Sequence, residues 1–216
     1  MTHPQQSEPV VYQGQFGEFT ITESDRSGVV IYRAGLMVAA LSFAIGSTEV
    51  LLGHQSWQAL TPLIACFCLG LGVSLFTIHI YLEVLHRLLQ VFWAIGSITA
   101  LTLALSSREP LAVTVYNHPV ALFGVGFMFA ALTGIYFKEA FCFNRLETKL
   151  LTPLVPILLL GHLVGVLPTQ WERAMLASWA VLFVVFALRK ALQQIPPDIG
   201  DKSVFAYLHA QRSARA

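Results

Sequence analysis

The sequence predicts an all-α fold: a polytopic membrane helix bundle with about six transmembrane helices and both termini cytoplasmic. Three observations predict it. Of 216 residues, 56% are hydrophobic and only 12% charged, against roughly 45–50% and 25% in an average soluble domain. The apolar residues gather into six stretches of the length needed to cross ~30 Å of hydrocarbon at 1.5 Å per residue. Lys and Arg fall almost entirely on one side of those stretches.

A mean hydropathy of +0.66 spread along most of the chain argues against a soluble enzyme on a single anchor and excludes intrinsic disorder. The net charge is +1, from 13 Lys+Arg and 12 Asp+Glu. That offers no basic field for nucleic acid, so the lipid bilayer is the expected partner. The three cysteines imply no disulfide framework and no zinc knuckle.

Residues 1–33 form a polar N-terminal segment without the charged-then-apolar order of a cleaved secretory signal. From Val10 to Thr22 the order VVYQGQFGEFTIT alternates Tyr12, Phe16, Phe19 and Ile21 with Gln, Gly and Thr, which reads as short strands in a hairpin. Thr22, Glu23, Ser24 and Asp25 then carry a helix-start pattern that can run through Ile31 and Tyr32 into the membrane.

Residues 34–190 hold the spans, placed at Ala34–Leu52, Leu60–Leu82, Leu88–Leu105, Val120–Phe137, Leu150–Leu167 and Ala174–Leu188. Helices follow because a segment in lipid must satisfy its own backbone bonds, and barrel-type alternation is missing. The second turn is the weakest boundary, since no Gly or Pro lies between Gly72 and Gly96. With six spans, eleven cations share the side of the termini, and only Arg108 and Arg173 lie opposite. This predicts cytoplasmic termini. Trp57, Tyr116 and Trp171 are then expected at the outer boundary, with Tyr32, Tyr81 and Tyr136 at the inner. In the tail, 191–216, Pro196–Pro197 ends the last span, and Asp201 or Ser203 can cap a short amphipathic helix carrying Val204, Phe205 and Leu208.

Gly126, Ala130 and Gly134 recur every four residues and predict a close-packing face, as Gly35 with Ala39 and Gly70 with Gly72 and Ser74 do elsewhere. Pro153 and Pro156 enter the fifth span, where Pro156 removes a helical bond.

Ionisable groups at mid-depth in lipid cost ~2.5–3.5 kcal/mol or more, so their positions carry most of the functional information. An inner cluster combines His79, Glu83, His86 and Arg87 after the second span with Lys138, Glu139 and Cys142, followed by Arg145 and Glu147, after the fourth. On one continuous helix His79, Glu83 and His86 would share a face. The histidines would stand ~10 Å apart along it, too far to share one ion, so Glu83 and His86 are weak metal candidates and no metal or other cofactor is strongly implied. Reaching headgroups, or pairing with Lys138 and Arg145, is the simpler expectation. An outer pair, Glu49 and His162, lies within ~8 Å of the opposite boundary and could relay protons, although Glu49 reaching water and His162 bonding a helix carbonyl is the simpler expectation. Cys66 and Cys68 point apart on a helix and read as small apolar residues. No Gly-x-Ser-x-Gly, P-loop or HExxH motif is present, and no catalytic residue is indicated.

The segments VYQGQFGEFTIT, SLFTIHIYLEVLHRLLQ, GIYFKEAFCF and LLLGHL together resemble the uncharacterised integral membrane proteins of cyanobacteria grouped as domain of unknown function 2301. The resemblance covers nearly the whole chain and is most specific around Lys138–Phe143. It implies a cyanobacterial plasma or thylakoid membrane and brings no activity, cofactor or catalytic residue. Three functions compete. One is small-molecule or ion transport along a polar path joining the two clusters. The second is a non-catalytic scaffold or assembly factor for a membrane complex, photosynthetic in that setting, with a membrane-protein partner or a second copy on the small-residue faces. The third and weakest is a metal-dependent membrane enzyme.

Overall fold

Alternating aromatic and small residues open the chain as a hairpin: β1 (Val11–Gly14) pairs antiparallel with β2 (Gly17–Thr20), Tyr12 stacking on Phe19 across the pair. The computed structural model describes residues 10–53 and 57–213, apart from the side chains of Trp57, His209 and Arg212. The expected roles of residues 1–9, of the Trp57 and Arg212 side chains and of Arg215 therefore lie outside the description.

Helix α1 (Glu23–Leu52) starts where Thr22 and Asp25 predict. The Thr22 hydroxyl accepts from Asp25 N at 3.2 Å and the Asp25 carboxylate accepts from Thr22 N at 2.8 Å, so each side chain satisfies a first-turn amide. It continues without a break for 30 residues, about 45 Å, and joins the N-terminal segment to the membrane domain as one rod. It is followed by α2 (Trp57–Thr77), α3 (Glu83–Ser106), α4 (Leu111–Asn117), α5 (Leu122–Phe143), α6 (Leu146–Leu163), α7 (Thr169–Ala191), α8 (Pro196–Ile199) and α9 (Lys202–Ser213). Helices α1, α2, α3, α5, α6 and α7 are long and apolar enough to cross a membrane. They pack in chain order around the bundle, and α7 closes onto α1. The described ends of the chain meet at one end of the bundle, the terminal end, where α9 lies on the hairpin. The opposite end is the far end.

Several boundaries differ from expectation. The second span stops at Thr77, and Ile78–Leu82 is a non-helical connection with Ile78 and Ile80 buried beneath the bundle. Burying two isoleucines of an otherwise ordinary stretch makes the turn without Gly or Pro. The fifth helix runs on to Phe143 and so carries Lys138, Glu139 and Cys142, while α6 begins four residues early, at Leu146. Helix α4 was not foreseen. Seven residues are too short for a 19-residue hydropathy window, although Pro110 and Pro119 bracket it.

The expected packing stripe is also redistributed. Gly134 faces Leu89 of α3, and the backbone of Met128 is met by Gly96, but a Cβ on Gly126 would meet only Leu122 of its own helix. Helices α1 and α2 also cross closely, at the Gly35, Ala39, Gly70 and Ser74 positions the sequence marks. There a Cβ on either Gly35 or Gly70 would stand 2.6 Å from the other's carbonyl oxygen, and Ser74 Oγ donates to Tyr32 O at 2.9 Å. Only glycine lets the two backbones come this near.

Candidate functional site

At the terminal end, charges are folded into the protein. Lys190 on α7 is 0% exposed, as is Glu139 on α5, and Asp198 on α8 is 5% exposed. Lys190 Nζ donates to Glu139 Oε2 at 2.6 Å and to Asp198 Oδ1. Arg33 of α1 holds the other Asp198 oxygen at 2.6 and 2.9 Å and donates to the Gln193 and Gln194 carbonyls. Lys138 Nζ reaches Glu139 Oε1 at 2.8 Å, and the Tyr32 hydroxyl donates to that oxygen at 3.3 Å. The Phe143 ring lies 4.0 Å from Lys190 Nζ and 5.3 Å from Lys138 Nζ, within cation–π range. Beside this network, Glu147 is buried against Arg189 at 2.6 Å, with Arg145 3.7 Å away. Buried charges are tolerable only when met by partners, which α1, α5, α7 and α8 supply to the network, while Glu147 Oε1 and Arg145 Nη1 stay buried without a hydrogen bond.

Hairpin and tail lock over this end. Asp201 Oδ2 accepts from Gln15 N at 2.6 Å, Ser203 Oγ accepts from Phe16 N at 3.0 Å, and Lys202 Nζ reaches Asp25 at 2.7 Å. The backbone bond from Gln15 is the largest influence holding the Asp201 carboxyl below its ordinary range. Phe16 stacks on Tyr207 at 4.0 Å, and Tyr81 stacks on Phe205.

Above the network sits a layer of rings. Trp179 Nε1 donates to the Tyr136 hydroxyl at 3.2 Å, and Trp179 packs on Phe43 and Phe129 at 4.4 and 5.3 Å. On the far side of that layer is a cavity of about 850 Å³, walled by α1, α2, α4, α5, α6 and α7. Its floor includes Phe43, Phe67, Met128 and Phe129, and its mouth includes Glu109, Tyr116, His162, Glu172 and Arg173. At the mouth His162 Nδ1 lies 2.6 Å from Glu172 Oε1, the Tyr116 hydroxyl donates to Glu172 Oε2 at 3.2 Å, and the His162 ring stacks on Tyr116.

The candidate residues from the sequence divide accordingly. Lys138 and Glu139 belong to the buried network. His79 lies in the Ile78–Leu82 connection, half-buried near Gly28, where burial holds its imidazole below the usual histidine range. Because that connection is not helical, His79, Glu83 and His86 do not share a helix face. Glu83 and Arg87 are exposed at the start of α3, and Cys142 is exposed on α5. His86 Nε2 donates to Leu75 O at 2.6 Å, satisfying a carbonyl freed where α2 ends. Among the described residues no group of three or more His, Cys, Asp or Glu could hold a metal ion. In the outer pair, the carboxylate on His162 comes from Glu172, while Glu49 stands half-buried in the last turn of α1. Tyr32 and Tyr136, expected at the lipid boundary, are fully buried, because their hydroxyls find partners inside the protein.

Sequence reasoning missed the roles of Lys190 and Arg33, which entered only the count of cations, and of Asp198 and Glu172, to which it assigned nothing. The available signal was the pair of α7 ends: an acid at its far start and a cation in its last turn, each long enough to reach inward.

A family model described as an uncharacterized integral membrane protein (DUF2301) matches residues 73–207. No curated protein and no solved structure matches the chain.

Proposed function

The chain belongs to this DUF2301 family of integral membrane proteins, and we propose that it is a transporter of small lipid-soluble molecules, loading at the far end while the terminal end is closed. The carrying observation is the blind cavity: about 850 Å³ on one side of the ring layer, and interhelical ion pairs on the other. The volume lies in the range of small-molecule sites. A lining made mostly of Leu, Val, Ile, Phe and Met favours an apolar cargo over an ion, which would need polar groups along its way. The closure joins α1, α5, α7 and α8 through Asp198 and Glu139, a set of contacts that separating helices can exchange for water. The eleven-to-two distribution of cations supports orientation of the terminal end toward the cytoplasm.

Cysteine labelling in oriented vesicles tests this, with Cys66, Cys68 and Cys142 replaced by Ala. Ser47→Cys, in the cavity, reacts with a membrane-impermeant maleimide from the far face, whereas Ala187→Cys, beside the ion network, is protected from the terminal face. Adding Asp198→Asn raises labelling of Ala187→Cys from the terminal face by about tenfold or more, as expected for a shifted open–closed equilibrium. A folded protein in which Ser47→Cys is unreachable from the far face, or in which Asp198→Asn changes nothing, overturns the reading.

A further inference from the structure

Hydroxyls in the spanning helices generally satisfy themselves. Thr48, Thr77, Thr99, Thr102, Ser106, Thr133 and Ser178 each donate to the carbonyl four residues earlier, at 2.7–2.9 Å. Ser42 and Ser47 differ. They are 8% and 5% exposed, and both line the far-half cavity. Among the described residues neither hydroxyl is hydrogen-bonded to the protein, and neither oxygen is sealed off from the cavity. Free of the helix carbonyls and open to the cavity, the two hydroxyls can bond an occupant from an otherwise mostly apolar wall.

Cavity shape narrows the occupant. Its lining runs from Ser42 to Val50 on α1, from Leu60 to Phe67 on α2 and from Leu122 to Phe129 on α5, a depth of ~10–12 Å at 1.5 Å per residue. Divided into about 850 Å³, that depth gives a mean cross-section of about 80 Å², several times that of one extended alkyl chain. Phe43, Phe67 and Phe129 present rings to the same space, surfaces on which a flat ring can stack. Ser42 and Ser47 stand ~7.5 Å apart along the helix axis, so oxygens on opposite edges of one ring can address both. Tyr116, His162 and Glu172 already engage one another at the mouth, which leaves the serine hydroxyls free to bond a ligand deeper in the cavity.

We infer that the cavity binds a lipid-soluble ring compound bearing carbonyl or hydroxyl oxygens, with the ring against Phe43, Phe67 and Phe129 and the oxygens on Ser42 and Ser47. This rests on the cavity being the loading site proposed above, and it specifies the cargo's chemistry.

The test uses the full chain in nanodiscs and two probes: decylubiquinone, a two-carbonyl ring with a ten-carbon tail, and decanol, which has the tail and one hydroxyl but no ring. Native mass spectrometry titrations read saturable binding. Decylubiquinone binds once per chain, and decanol does not saturate. Ser42→Ala with Ser47→Ala weakens decylubiquinone by about ten- to thirtyfold, the loss expected for two neutral hydrogen bonds. Gly46→Leu blocks the probe from within, since its Cβ would sit 3.6 and 3.8 Å from Leu60 and Leu63, in ordinary contact, and the rest projects into the space. If Gly46→Leu fails to fold, the serine variants decide alone. Equal binding of decanol, indifference to the serines, or no saturable binding of either probe overturns the inference. The transporter reading stands or falls separately, on maleimide access to Ser47→Cys.

Discussion

The two halves of the bundle invert the usual pairing of polarity with solvent. The terminal half carries a buried network of charges, whereas the far half holds a cavity lined mostly by apolar side chains. Lys190, Glu139 and Asp198 are tolerable at near-zero exposure only because each carboxylate oxygen meets a donor and the ammonium meets two carboxylates and the Phe143 ring, which demands tight convergence of α1, α5, α7 and α8. Leu, Val and Phe around the cavity carry no such demand. Apolar walls can stand apart at modest loss of dispersion contacts, and that loss is recoverable by a ligand. The half that looks polar in sequence is thus the structural clamp, and the half that looks featureless holds the candidate site.

The largest break in this contrast comes from Lys190→Met. It leaves Glu139 and Asp198 buried without their shared cation and is expected to destabilise the protein by about 3–5 kcal/mol, read as a fall in unfolding midpoint in detergent. Lys190→Met combined with Glu139→Gln recovers part of that loss, because one of the stranded charges is gone. Next in size, Trp179→Phe keeps most of the ring layer but removes the bond to Tyr136. About 1 kcal/mol of stability is lost, together with some of the separation between cavity and network, seen as increased maleimide reaction at Ala187→Cys.

In the hollow half the expected sign reverses. Ser42→Ala removes a buried hydroxyl that has no protein partner, so the unliganded protein is unchanged or gains up to about 1 kcal/mol. A loss comparable to that of Lys190→Met would show that the far half is as tightly specified as the terminal half. The smallest effect is acid release of the hairpin. Asp201 has its carboxyl pKa depressed below 3.8 by the Gln15 amide and Ser203, so its contribution is complete above the unfolded value and is lost as pH falls through the lowered folded value. Protection of the Val11–Thr20 amides, taken relative to the intrinsic exchange rate at each pH, should fall under those acid conditions and hold between neutral pH and about pH 5. An Asp201→Asn protein should show the lower protection throughout.

Parts of this organisation are legible in particular residues. Thr22 and Asp25 announce the start of α1 because a cap is a local exchange of two hydrogen bonds. Tyr12 and Phe19 announce the hairpin because strand alternation is local as well. Lys138 and Glu139 are recognisable as unusual because charge inside a spanning helix is costly wherever it points. Glu172 as the partner of His162 was out of reach, since the pairing depends on how α6 and α7 rotate against each other. Tyr32 and Tyr136 were misplaced for the same reason: a tyrosine near a helix end suits the lipid boundary and the protein interior equally well.

By itself the sequence determined that this chain is a six-span integral membrane protein, because the transfer of apolar length into lipid and the self-satisfaction of helical backbone depend only on neighbours along the chain. The tertiary structure alone decided which charges are buried together and where the bundle stays open. Those outcomes turn on helix rotation and axial offset, which arise from contacts between residues far apart in the chain, such as Arg33 and Asp198, 165 positions apart.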